Sequence, residues 1–326
     1  MKHKFILPLL ALALVLLACS VQINTTNPPP ISITDSQIPP IVVTETPVLP
    51  SLPPPPVPPS VPELSPDSLR NASYDITEFT GTPRTITLVN GGYASGSDPL
   101  AMDYLTVYMS DLVAFGDLNY DGVNDAAVIL GINTGGTGVF TYIAAVLNFG
   151  GAPAQVASVF IDDRPMINSL SITSGEILSD ILLHGTDDPG CCPSILVEQG
   201  YRLVNNNNLV LSRWDGQTAG GLPRAINISS PVDLTETSYP FTVSGSVTVG
   251  PFENTLAYTV YSSDNTLITN GPIMTDSPNP GEPGNFSLPV NLSMAGVYGL
   301  VRIEFVEYSM MDGSVMTLDS VLVKVH

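Results

Sequence analysis

The hydrophobic positions of this chain fall into short runs, five to nine residues long, rich in β-branched and aromatic residues and bounded by Gly, Asn, Asp and Pro. That is the signature of strands. The runs 84–89, 104–109, 126–130, 140–147, 155–161, 167–172, 177–183, 195–203 and 209–214 predict a first β-rich domain over residues 67–215. Asn205 to Asn208 separates the last two as a hairpin turn, because Asn tolerates the left-handed backbone. One short helix is expected at its start, where Pro66 fits a first turn and Ser65 or Asp67 a cap. A Gly-rich stretch, 216–223, marks a domain joint. Beyond it, runs at 241–249, 256–261, 286–290, 299–307 and 318–325 are spaced as in a β-sandwich over 224–326. The fold class is therefore mainly β, two β-rich domains in series.

Two earlier segments break this pattern. Lys2 and Lys4 precede an apolar run from Phe5 to Leu17, the form of a secretory signal peptide and too short for a comfortable transmembrane helix of about 20 residues. Leu16-Leu17-Ala18-Cys19 resembles the bacterial lipobox. The resemblance implies cleavage after residue 18, diacylation of the Cys19 thiol, and an exported protein held in the cell membrane or outer membrane, facing the extracytoplasmic side. Residues 20–66 then hold 15 of the 31 prolines and no glycine. Proline fixes φ and lacks an N–H, so 19–66 is expected to be a disordered, extended tether without a core.

Charge sharpens this picture. Loss of residues 1–18 lowers Lys+Arg from 10 to 8 and leaves Asp+Glu at 30, a mature net charge of −22. Nucleic acid and anionic lipid surfaces need a basic face and are excluded as partners. The partners expected are the bilayer, through acylated Cys19, and an envelope protein or polysaccharide.

The sharpest chemical motif is Asp117-Leu118-Asn119-Tyr120-Asp121-Gly122-Val123-Asn124-Asp125. Oxygen-bearing residues alternate and a glycine stands sixth, the opening of a Ca²⁺ loop, because calcium takes six to eight oxygens around a sharp turn. Asp117, Asn119 and Asp121 would offer side chains, Val123 its carbonyl, and Asp125 a direct or water-mediated contact. The twelfth position is Val128 rather than the Glu of an EF-hand, and strand-like runs flank the loop. It resembles loops of FG-GAP-type β repeats. A hairpin turn without metal fits the same residues.

Cys191-Cys192-Pro193 is the second motif. Adjacent cysteines fit a vicinal disulfide, a metal site completed by distant partners, or a small buried pair. Together, the Asp-rich loop and the Cys-Cys-Pro loop resemble a domain of envelope lipoproteins of uncharacterised activity.

In the C-terminal hundred residues, Ile228-Ser229-Ser230-Pro231, Val243-Ser244-Gly245-Ser246-Val247, Pro251-Phe252-Glu253, Glu307-Tyr308-Ser309 and Asp312-Gly313-Ser314 resemble the immunoglobulin-like domain of bacterial spore germination proteins. On that resemblance Ser-Pro enters the first strand, Gly245 sits where bulk is disfavoured, Phe252 plugs the core, Glu253 or Glu307 holds backbone amides, and Asp312-Gly313 turns into the last strand. A Pro-rich insertion at 275–284 departs from the family pattern.

No Gly-x-Ser-x-Gly or His-Glu-x-x-His occurs, and His184 is the one histidine outside residues 1–18 and the C-terminal position 326. The sequence thus predicts a non-catalytic binding or structural module of the cell envelope. A calcium-dependent adhesin, or a carbohydrate- or peptidoglycan-active hydrolase built on carboxylate pairs such as Asp162-Asp163 or Glu307 with Asp312, stand as alternatives.

Overall fold

A computed structural model describes residues 61–101 and 103–326; Cys19 and the expected signal peptide and most of the tether lie outside the described residues. The chain enters through helix α1 (Pro66–Arg70), and Ser65 is its cap, exchanging backbone-to-side-chain hydrogen bonds with Ser68. Strands β1 (Ser73–Asp75) and β2 (Thr85–Thr87) follow as a pair, with the single turn α2 (Thr77–Thr80) between them.

Five antiparallel strands then run in sequence order: β3 (Gly92–Ser95), β4 (Leu105–Gly116), β5 (Asp125–Asn133), β6 (Phe140–Phe149) and β7 (Ala152–Asp163). β5 and β6 are buried along nearly their whole length. That is why residues 126–132 and 142–147 read as unbroken apolar runs rather than alternating ones: both faces are covered. On one face lie Leu69, Tyr74, Ile86 and Leu88 of the entry segment. On the other lie side chains of the next four strands, including Ile177, Tyr201 and Leu209. These strands are β8 (Met166–Thr173), β9 (Glu176–Leu183), β10 (Ile195–Val204) and β11 (Asn208–Gln217). Asn205 and Asn206 turn between β10 and β11 at φ of 53° and 54°, as their residue type predicts.

The expected joint is itself hydrogen-bonded. β12 (Pro223–Arg224) folds back on the end of β11, pairing Gly216 with Arg224 and Gln217 with Pro223. The C-terminal strands are β13 (Ile226–Ser230), β14 (Thr235–Thr237), β15 (Phe241–Val247), β16 (Thr255–Ser262), β17 (Leu267–Met274), β18 (Gly284–Val290), β19 (Gly299–Tyr308) and β20 (Val315–Val325). They form an immunoglobulin-like sandwich. One sheet is β13-β15-β18, the other continues β17-β16-β19-β20, and Val243, Phe286, Ile303, Phe305 and Val323 fill the space between.

The second sheet does not stop at β20. Arg213 pairs with Asp319 and Trp214 with Leu318, so β11 and β20 are neighbours and one sheet runs through both halves of the described chain.

Two local expectations are corrected. Ser230 is the last residue of β13, so Ser-Pro leaves that strand rather than entering it. Phe252 is 60% exposed and plugs no core, because it opens a one-turn helix before β16, Phe252–Asn254, in which no residue is buried. Gly245 is as expected: a Cβ there would lie 2.4 Å from the Asn227 carbonyl and 2.5 Å from the Phe286 ring.

Candidate functional site

The Asp-rich loop joins β4 to β5 and is folded around its own carboxylates. Asp117 accepts the amides of Asp121 (3.2 Å) and Gly122 (2.8 Å), and Asp121 accepts that of Val123 (2.8 Å). Asn119 accepts the Asp121 amide and donates to the Asp121 carboxylate. Asp125 differs from these. It is fully buried, and its two oxygens accept the amides of Leu118 and Asn148, each at 2.9 Å. Burial pushes its carboxyl above the ordinary value, and those two amides pull it part of the way back. Asp125 therefore pins the loop to β6. The side-chain oxygens of Asp117, Asn119 and Asp121 lie nearer the surface and are turned onto the loop's own donors. Among the described residues no three His, Cys, Asp or Glu side chains form a metal-binding group.

The Cys191–Cys192 pair is a vicinal disulfide on the loop between β9 and β10. Asp188 ties that loop together, accepting the amides of Gly185 (2.8 Å) and Ser194 (2.9 Å), which hold its carboxyl low. His184 stands beside Asp162 of β7, Nδ1 to Oδ2 at 3.0 Å, and Asp163 is paired with Arg164. Asp162 and Asp163 are thus each taken by a separate partner. Glu307 is buried against Arg224 at 2.8 Å, whereas Asp312 is a surface turn cap for Ser314.

The densest polar arrangement lies where the two halves meet. Sequence reasoning did not single it out. Arg202 of β10, 4% exposed, stands across from Glu176 of β9 and reaches Asp233 of the following half at 2.5 Å. Asp233 accepts the Leu322 amide of β20 with its other oxygen. Glu176 also takes the Ser212 hydroxyl (2.6 Å), and the Ser212 carbonyl takes that of Ser320 (2.9 Å). Burial alone would lower the Arg202 guanidinium, but Glu176 and Asp233 outweigh it and raise it.

A second cluster sits at the strand seam. Arg213 reaches Asp215 (3.3 Å) and Asp319 (3.4 Å), and Asp319 accepts the Ile228 amide of the opposite sheet. Burial pushes both carboxyls to about 6 against the pull of Arg213. The available signal in the sequence was weak: isolated charges, in a chain with only 12% charged residues, standing inside apolar strand runs.

Above this junction lies a cavity of about 170 Å³. The Asp-rich loop supplies Asn119 and Tyr120, the β10–β11 turn supplies Asn206, and the immunoglobulin-like half supplies Ser263, Arg302 and Leu322. Tyr120 is held by a hydrogen bond to the Ser174 carbonyl (2.8 Å) and receives one from Arg202 (3.3 Å). Its ring crosses Gly175, φ 73°, where a Cβ would come within 2.4 Å. A separate open groove, about 510 Å³, borders β16, β17 and β19 with Phe252, Tyr308 and Met310 exposed along it.

Residues 225–314 match the family described as the immunoglobulin-like domain of bacterial spore germination. The match opens just before β13 and closes just before β20, the strand that meets β11. It agrees with the resemblance read from the sequence. No curated protein is close enough to count as a relative. Among solved structures, the crystal structure of dimeric latent PorU from Porphyromonas gingivalis aligns over 68% of this chain and 30% of that chain. At 10% identity and a TM-score of 0.24, that likeness bears on neither fold nor function.

Proposed function

We propose that the protein is a membrane-anchored surface lipoprotein acting as a non-catalytic binding or structural module of the cell envelope. In this reading acylated Cys19 holds it to the bilayer, the Pro-rich segment spaces it from the surface, and the two β halves act as one presenting body. The observation that carries the reading is the shared sheet. An immunoglobulin-like half of the spore-germination type is joined edge to edge with the preceding half, and buried ion pairs lock the junction. A scaffold needs that rigidity. The carboxylate pairs that would serve a hydrolase are instead committed to Arg164, His184 and Arg224 or to a turn, which supports binding over catalysis.

The test is fractionation of cells labelled with radioactive palmitate, comparing the protein with its Cys19→Ala variant. The labelled protein is expected in the membrane fraction and the variant unlabelled and released. An unlabelled wild-type protein recovered only in the soluble fraction would overturn the anchor. Release of soluble fragments from purified peptidoglycan would move the hydrolase ahead.

A further inference from the structure

The groove of about 510 Å³ lies on the face of β17-β16-β19 turned away from the sandwich core. Leu256 and Val260 of β16 are buried in that core, so Thr255, Ala257 and Thr259 face the other way. Ala257 stands in register between Pro272 of β17 and Val306 of β19, and Thr259 beside Asn270. The middle of the floor is therefore short and apolar, and a ligand can approach the sheet closely. From Thr255 to Thr259 the floor runs about 14 Å, longer than a single sugar ring.

At the end where β16 begins and β19 finishes, the wall is aromatic. Phe252 is 60% and Tyr308 48% exposed, with Met310 beside them. Exposed apolar groups gathered along a groove mark a contact site. Phe252 is also held there at a cost. Glu253, next to it, sits at φ 54°, a region that residues other than Gly rarely adopt. Asn254 fixes the turn, its amide donating to the Pro251 carbonyl (3.0 Å) and its side chain to the Ser277 carbonyl (3.1 Å). Strain of this kind gathers at ligand sites.

The polar part of the wall is free to bind. Glu253, Asn270 and Tyr308 are exposed and Thr259 is half-buried, and none of these side chains has a hydrogen-bond partner among the described residues. No Lys, Arg or His lines the groove, and its other carboxylate, Glu307, is buried against Arg224. An anionic ligand finds no complement here. Nor does the floor suit a peptide that adds as a strand, since β16 and β19 are each paired on both sides and offer side chains only.

We propose that this groove binds a neutral glycan chain, stacked on Phe252 and Tyr308 and hydrogen-bonded by Glu253, Thr259 and Asn270. A sugar ring presents a C–H face that packs on aromatic side chains and hydroxyls that pair with amide, hydroxyl and carboxylate groups. The volume is that of an ordinary ligand pocket, apolar with a few placed polar groups. This proposal rests on the reading of the chain as an envelope binding module and names the class of ligand.

The experiment is calorimetric titration of the full chain in mild detergent with cellopentaose, chitopentaose and maltopentaose, against pentagalacturonate and a proline-rich decapeptide. At least one neutral oligosaccharide is expected to bind, and the anionic one is not. Phe252→Ala and Tyr308→Ala alter exposed side chains, so both should fold, and each is expected to weaken binding about tenfold or more. Phe149→Ala removes an equally exposed aromatic of the preceding half (64% exposed) and should leave binding unchanged. Absence of binding by all three neutral oligosaccharides, binding that survives both aromatic variants, or binding of the decapeptide alone would each overturn the proposal. New reducing ends in the titrated sugar would contradict the non-catalytic reading instead, and the anchor is tested separately at Cys19, so the failures are distinguishable.

Discussion

Asp125 and Asp121 belong to one motif yet do opposite work. Asp121 is an exposed acceptor within its own loop, whereas Asp125 is a buried anchor between Leu118 and Asn148. Asp125→Ala leaves two buried amides unpaired and is expected to cost about 2–4 kcal/mol; Asp121→Ala should cost under about 0.5 kcal/mol. Urea denaturation compares them, and equal losses would refute the division. Calcium titration of the same pair then reports on the metal separately, since only Asp121 faces solvent. The seam carboxylates set a pH response. Asp215 and Asp319 titrate near 6 in the folded protein against about 3.9 when unfolded, so the folded state binds more protons between those values. Stability from these groups is therefore fully present below about pH 4 and is lost as pH rises through 6. Asp163, Asp188, Asp276 and Asp312, held low by Arg164, by backbone amides or by the Ser309 hydroxyl, act oppositely and lose their contribution as pH falls below about 4. The melting temperature should thus rise from pH 7.5 to pH 5, and Asp319→Asn should flatten that rise. A melting temperature that falls over the same interval would contradict the assignment.

At the scale of elements, the strand pattern was readable because each run carries its own evidence in local residues. Ser65 capping α1 and Asn205-Asn206 turning between β10 and β11 are local events with local signatures. β17 escaped, because Asn270-Gly271-Pro272 interrupts a pattern that its partner β16 nonetheless pairs through. The long continuous β4 was read in two pieces, since the register shift between Met109 and Val113 breaks its alternation. The junction was illegible for a different reason. Its residues are separated by up to 108 positions, as in the bond from Ser320 to Ser212, and no local pattern announces that kind of pairing. Nor does a charged residue declare whether it faces water or a buried partner. Arg202 and Glu176 look like surface residues until β9 and β10 are set in register.

For the molecule as a whole, the question is whether 61–326 behaves as two linked modules or as one body. The two-residue pairing of β11 with β20 is short, but Arg202, Asp233, Arg213 and Asp319 reinforce it from both sides. Removing one partner would leave the other buried and uncompensated, at a cost of about 3–5 kcal/mol, so each pair ties a residue of one half to a residue of the other. The chain provides its own reporter, for its one tryptophan, Trp214, sits in that seam opposite Leu318 and packs on the cluster of Ile181, Leu183 and Val197. The most direct test of a single rigid body is equilibrium urea unfolding of the full chain, followed together by Trp214 fluorescence and far-ultraviolet circular dichroism. Coincident transitions with one midpoint are the predicted result. A Trp214 transition completed at lower urea, with the β signal still intact, would mean that the seam opens independently and that the halves are separate modules.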